Sequence, residues 1–492
     1  MPENAIVIGG GFGGIAAALR LRKRGYAVTL IDKQDKLGGR AYVYHRNGFV
    51  FDAGPTVITA PFLIDELFEL FGKNREDYVK LVPLYPWYRI QFADGIRFNY
   101  GGTLEQTLDE IRKIEPADAD GYLKLLAHAR KIFDVGFTQL GDKPFSTIWS
   151  MVKVAPQLIS LGTWRSVWQM TCKYIKNEKL RRVFSFQPLL IGGNPFATTS
   201  IYSLIQHLER EWGVHFAMGG TGAIVAALQK LMREAGIKIL LDTEVSRILL
   251  DARSSEDRVN AVRIRDGDKL SADIVVCNAD APFVYKHLLD DALQSGRGAQ
   301  SRLNRLKYSM GLFVLYFGTR KKYDEVVHHT ILLGQRYREL LKEMFDDHKL
   351  EIKDFSLYLH RPTATDPSMA PRGCDAFYVL CPVPNLQGQI DWKITGPQYR
   401  ELILDYLELM LLPDLRKHIV EDFYVTPEHF RDNLNTLLGT GFSIQPTFRQ
   451  SAYGRFHNKS DIAGLYFVGA GTHPGAGLPG VLCSAKVLEN VL

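Results

Sequence analysis

The first 32 residues constrain this chain more than any other stretch. Ala5-Ile-Val-Ile8 is a short apolar run of the kind a buried parallel strand needs. Gly9-Gly-Gly11-Phe12-Gly13-Gly14 follows at once, and Ile15 to Arg24, rich in alanine and leucine, predicts a helix. A second apolar run, Val28-Thr-Leu-Ile31, ends on Asp32, eighteen residues after Gly14. Strand, G-x-G-x-x-G, helix, strand, acid is the order of a dinucleotide-binding unit. Gly9 permits the tight turn, Gly11 lets the backbone approach a pyrophosphate, and Gly14 allows helix and strand to pack closely. The helix start, through Phe12 and Gly13, offers unpaired N–H groups and a positive dipole end to phosphates. Asp32, followed by Lys33, can accept hydrogen bonds from ribose hydroxyls, and its charge repels a 2′-phosphate.

A chain of 492 residues is too long for one core, so at least two domains are expected. Five scattered cysteines without a CxxC pair argue against a disulfide framework and a cysteine zinc site, and suit a reducing cytosol. No charged segment with an apolar stretch precedes the first strand, so no signal peptide is expected. No run of eighteen apolar residues is present, so no transmembrane segment is expected.

Near the C-terminus, Leu465-Tyr-Phe-Val468 runs into Gly469-Ala470-Gly471-Thr-His-Pro-Gly-Ala-Gly477, with a helix expected to start near Pro479. Five glycines in twelve residues favour close approach to a ligand, and N–H groups around Gly480 and Val481 can stabilise negative charge there. Gly219-Gly-Thr-Gly222 opens another predicted helix, followed by short apolar runs at 237–241, 244–245 and 272–279. Together these pieces predict an α/β fold with a Rossmann-like nucleotide-binding domain.

Asp35-Lys-Leu-Gly38-Gly39-Arg40 and Phe51-Asp-Ala-Gly54-Pro55-Thr56 resemble the continuation found in the FAD superfamily of amine oxidases, protoporphyrinogen oxidases and carotenoid desaturases. That resemblance implies FAD rather than NAD, with Gly39 and Arg40 along the diphosphate and Gly54, Pro55 and Thr56 beside the flavin. It also implies an adenine contact from Val245, and flavin contacts from Gly469, Ala470, Gly471, Gly480 and Val481. The fold it implies is the GR2 type: a discontinuous FAD domain (1–76, 217–290 and 455–492) with an inserted mixed-sheet and helical substrate region (77–216 and 291–454).

Gly192-Gly-Asn-Pro-Phe196, Glu209-Arg-Glu-Trp-Gly213, Gly219-Gly-Thr-Gly222 and Thr472-His-Pro-Gly-Ala-Gly-Leu-Pro-Gly480 narrow the likeness end to end. With the segments above they are similar to the bacterial-type phytoene desaturases. The resemblance implies four dehydrogenations of 15-cis-phytoene to all-trans-lycopene, with electrons passed from flavin to quinone or oxygen. Fewer-step, diapophytoene and hydroxycarotenoid desaturases, a carotenoid isomerase and a prenyl-binding escort protein are the alternatives. A flavin amine oxidase would typically show a lysine on a central strand, and the run Leu312 to Phe317 has none. No metal site is expected. No catalytic acid or base stands out; Lys153, Glu209 and Arg210 are the candidates, and ordinary ion pairs account for them as well. Pro86 to Phe92 and Gly311 to Gly318 are aromatic-rich candidates for an apolar tunnel wall.

Residues 143–186 hold eight basic residues (Lys143, Lys153, Arg165, Lys173, Lys176, Lys179, Arg181 and Arg182) against one acid, Glu178, with Trp149, Trp164 and Trp168 interleaved. This pattern suits an interfacial helical segment on anionic lipid, and equally an amphipathic helix with a solvated basic face. The expected location is therefore cytoplasmic, peripherally associated with the inner cell membrane. No nucleic-acid recognition motif accompanies the basic patch.

Overall fold

A computed structural model of the protein describes residues 2–145, 147–251, 256–289 and 299–492. Its first sheet is parallel and five-stranded, in the order Leu465–Phe467, Ile274–Cys277, Asn4–Ile8, Ala27–Ile31 and Lys238–Leu240. Strands from the beginning, middle and end of the chain thus lie side by side.

The N-terminal strand is apolar throughout because both its faces are covered. Ala5 and Val7 pack in one cluster with Ile15 and Leu19 of the helix Phe12–Lys23, Leu228 of Thr221–Glu234 and Leu482 of Leu478–Glu489. Ile6 and Ile8 face the other way, onto Ile248 and Val262 of a three-stranded antiparallel sheet (Val245–Leu250, Val259–Ile264 and Lys269–Ser271). Alternation along the strand sends successive residues to opposite layers, and neither layer is water.

A second sheet has seven strands, in the order Ile419–Val425, Gly311–Thr319, Asp375–Val383, Leu357–His360, His329–Leu333, Tyr88–Phe92 and Arg97–Tyr100. All its pairs are antiparallel except His329–Leu333 with Tyr88–Phe92. Phe313, Leu315 and Phe317 pack against Trp392, Tyr399 and Ile403 of the long helix Trp392–Met410. Leu312, Val314 and Tyr316 face the opposite side, toward the helical segments between residues 104 and 212.

The basic stretch 143–186 is broken into the helices Ile148–Ser160, Val167–Tyr174 and Glu178–Val183. Trp168 is buried against Phe196 and Tyr337, so it belongs to the core and not to an outer face. Lys179 pairs with Asp94, and Arg181 and Arg182 lie beside Glu178. Within this stretch the exposed apolar side chains lie between 149 and 164: Trp149 is 70% exposed, Ile159 63% and Trp164 56%. Among the described residues no helix is long and apolar enough to cross a membrane.

Candidate active site

The glycine turn is built as its sequence requires. Gly9 has φ +96°, and a Cβ on Gly14 would lie 2.0 Å from the carbonyl oxygen of Gly9, so only glycine lets the helix approach the strand there. The Gly10 amide donates to Asp32 Oδ2 at 2.6 Å and the Gln34 amide to Oδ1 at 2.9 Å. Burial pushes the Asp32 carboxyl upward in pKa against these bonds. Among the described residues no side chain caps the helices that begin at Phe12 and Leu478, so both starts keep backbone donors free, but the Val481 amide, expected to be one of them, donates to the Gly477 carbonyl at 3.0 Å.

A cavity of about 590 Å3 runs from this turn to the seven-stranded sheet. Gly9, Gly11, Phe12, Gly13, Asp32, Lys33, Gly39, Arg40, Gly54, Pro55, Thr56, Val245, Ala470, Gly480 and Val481 all border it. Gly14, Gly469 and Gly471 are not on its wall. Gly14 serves packing, and Cβ atoms on Gly469 and Gly471 would meet Asn278 and Ser443 within 3 Å.

Arg40 donates through Nε to the Gly441 carbonyl at 2.7 Å, while one of its terminal nitrogens, Nη2, is buried without a partner among the described residues. Burial lowers its pKa and Asp280 opposes that shift. Asn278, which the sequence does not single out, donates to the Gly9 carbonyl at 3.3 Å and also borders the cavity. Its position past the C-terminal end of Ile274–Cys277, where ligands of parallel sheets bind, is the signal that marks it.

Beyond the turn the wall becomes apolar, with Phe186, Leu189, Leu208, Leu312, Ile331 and Leu333 among its residues. Leu312 and Tyr316 come from the expected strand, but residues 86–92 do not border the cavity: Tyr88, Ile90 and Phe92 are core. Glu209 does border it, on the helix Leu204–Trp212. Burial pushes its carboxyl up to about 7, although Tyr88 donates to Oε1 at 2.9 Å and the Gln187 amide lies 3.4 Å from Oε2. The other two catalytic candidates stand elsewhere. Arg210 ties Gly102 and Thr107 together at 2.7 and 2.8 Å over the Trp87 ring, and Lys153 is exposed on Ile148–Ser160.

The sequence also gives no hint of two tyrosines on the wall. Tyr358 and Tyr378 bring their hydroxyls to Thr56 Oγ1 at 2.9 and 2.7 Å. They lie where the cofactor segment meets the apolar part.

The family profile of flavin containing amine oxidoreductases matches residues 12–486. The chain belongs to that family. A lycopene-forming phytoene desaturase of Pseudescherichia vulneris is 46% identical over 492 residues, covering all of this chain and 99% of that protein. A neurosporene-forming phytoene desaturase of Rhodobacter capsulatus is 42% identical over 495 residues, covering 99% of this chain and 94% of that one. Among solved structures, an oxidoreductase from Methanosarcina mazei superposes with a TM-score of 0.65 at 18% identity, over 99% of this chain and all of that one, which shows the shared fold.

As a flavin amine oxidoreductase the protein uses FAD, and its residues fit that group. The partnerless nitrogen of Arg40 and the two uncapped helix starts suit a diphosphate and an electron-rich ring. Asp32, fixed by two backbone donors, keeps lone pairs that suit ribose hydroxyls. Cys483, also on the wall, has its thiol pushed up to about 12 by burial and stays protonated, so it acts as a small apolar residue.

Proposed function

We propose that this flavoprotein is a phytoene desaturase that forms lycopene by four successive dehydrogenations of phytoene. One observation carries the reading. A single chamber joins a glycine-lined cofactor segment to a wall of leucine, isoleucine and aromatic side chains, in a chain closely similar to lycopene-forming enzymes.

Bound FAD supplies the acceptor for the hydride lost at each step. The apolar wall holds a hydrocarbon by burial alone and keeps water from the reacting carbons. Glu209 is the one charged candidate in position. As carboxylate it faces the chain where positive charge develops when a hydride leaves, and fixed negative charge in a dry site stabilises such a state. Its pKa of about 7 makes that role pH-dependent, with activity rising as the group ionises. Lys153 and Arg210 take no part in this chemistry.

We further infer that the enzyme sits on the inner face of the cell membrane and draws its substrate from lipid, passing electrons to a quinone or oxygen. Trp149, Val152, Pro156 and Ile159 fall along one stripe of the helix Ile148–Ser160, and exposed Trp164 lies beside Arg165. Indoles at headgroup level with neighbouring cations suit an interfacial contact. The Rhodobacter capsulatus relative keeps a second reading in view, a desaturase that stops one step earlier at neurosporene.

FAD-loaded protein incubated with phytoene in anionic liposomes and a quinone, without oxygen, is expected to yield lycopene on chromatography. Neurosporene alone would favour the second reading, and unchanged phytoene would contradict both.

A further inference from the structure

Each dehydrogenation also releases a proton into an apolar chamber, and Glu209 offers it no way out. The hydrogen bonds of that carboxyl end at Tyr88 and Gln187, both fully buried. A different set of groups leads outward. We propose that Tyr378, Thr56, Tyr358 and His329 form the route by which the substrate's proton leaves the cavity. This rests on the desaturase reading.

The hydroxyls of Tyr378 and Thr56 are 2.7 Å apart, those of Thr56 and Tyr358 2.9 Å, and Tyr358 lies 2.7 Å from His329 Nδ1. Tyr378, Thr56 and Tyr358 all border the cavity. Three hydroxyls carry three hydrogens for three hydrogen bonds. With Nδ1 of His329 accepting, every hydroxyl points from Tyr378 toward the imidazole, and the Tyr378 oxygen keeps a lone pair for the cavity. Once a hydride has gone, the vicinal C–H is strongly acidic, so a neutral hydroxyl oxygen suffices to accept its proton. The C–H bond breaks and its electron pair becomes the second bond of the new double bond. The proton joins Tyr378, Tyr378 passes its own to Thr56, Thr56 to Tyr358, and Tyr358 to His329 Nδ1. The chain ends reversed, with an imidazolium at its far end.

What lies behind His329 continues the route. His360 Nδ1 is 3.4 Å from His329 Nδ1, and the His328 ring is centred 4.5 Å from His329 and 4.8 Å from His360. His329 Nε2 already holds that ring's hydrogen, while the Nε2 atoms of His328 and His360, buried without a partner among the described residues, are free to take a proton. His328 Nδ1 then meets Thr365 Oγ1 at 2.7 Å, and Thr365 is half-buried beside exposed Ala364. Burial holds all three imidazoles well below their ordinary pKa, so a proton arriving there is handed on and not stored. The charged and titratable groups around them agree. Arg361, paired with Asp375 at 2.9 Å, adds positive charge next to His328, and the Tyr88 ring is 5.9 Å from His329. Burial raises the pKa of Tyr358 and Tyr378, and Asp52 adds a little to it, which keeps both protonated and able to relay.

The test mixes anaerobic FAD-loaded enzyme with phytoene liposomes, following flavin bleaching and, with an indicator dye, proton release. Tyr378→Phe and His329→Gln are expected to slow both by about a hundredfold with FAD still bound, and to abolish the wild-type solvent deuterium effect. Tyr358→Phe breaks the chain in its middle at nearly constant volume, and replaces any variant that loses FAD. Variants that bleach at the wild-type rate with the wild-type isotope effect would overturn the route. So would one divalent metal per chain, found by elemental analysis and lost in His329→Gln, because the imidazoles would then be ligands. Wild-type flavin that phytoene never bleaches would instead overturn the desaturase reading itself.

Discussion

Two side chains on the cavity wall carry distinct, measurable loads. Arg40 brings an unpartnered guanidinium nitrogen to the place where a diphosphate is expected, and a charge-assisted hydrogen bond of that kind contributes about 1.5–3 kcal/mol. Arg40→Met is therefore expected to weaken FAD binding by about tenfold to a hundredfold, read by titrating the stripped protein with FAD. Glu209 has an ordinary carboxyl value of 4.5 when unfolded and about 7 when folded. Between these values the folded state binds more protons, so stability falls as pH rises and levels off above about 7. Glu209→Gln removes that dependence. Relative to wild type, its unfolding free energy should improve by about 3 kcal/mol between pH 4 and pH 8, seen in urea midpoints. Its desaturation rate should drop most at pH 8, where the carboxylate is present.

At the scale of elements, the same physics made some segments legible and hid others. The turn from Ile8 to Phe12 is local. Its glycines, its two flanking strands and Asp32 lie within one short stretch, and each responds to neighbours close in sequence. Residues 86–92 and 311–318 look alike as aromatic runs, yet one is core and the other borders the cavity at Leu312 and Tyr316. Which face a strand shows depends on partners hundreds of positions away. Trp168 went the same way: its spacing with Trp149 and Trp164 suggests a common outer face, but the chain breaks between the helices and turns it inward onto Phe196. The proposed membrane face is thereby narrowed to 149–164. Replacing Trp149 and Trp164 together with serine is expected to abolish co-sedimentation with anionic liposomes while leaving bound FAD untouched. Co-sedimentation equal to wild type would remove the helix Ile148–Ser160 from the membrane contact.

At the scale of the molecule, three separated stretches of chain converge on one parallel sheet, and the cavity opens where their strands end toward a second sheet. The cofactor half announces itself in glycines. The other half is made of ordinary leucines and tyrosines whose meaning lies only in where the sheets bring them. Thr56 touches Tyr358 and Tyr378 across some three hundred residues, and no spacing rule reaches that far. Resemblance to desaturases fills the gap for the substrate but leaves the proton's path to the structure. Expression in cells that accumulate phytoene tests the whole account most directly. Red cells containing lycopene are the predicted result, and cells that stay colourless with phytoene intact, despite soluble flavin-bearing protein, would contradict it.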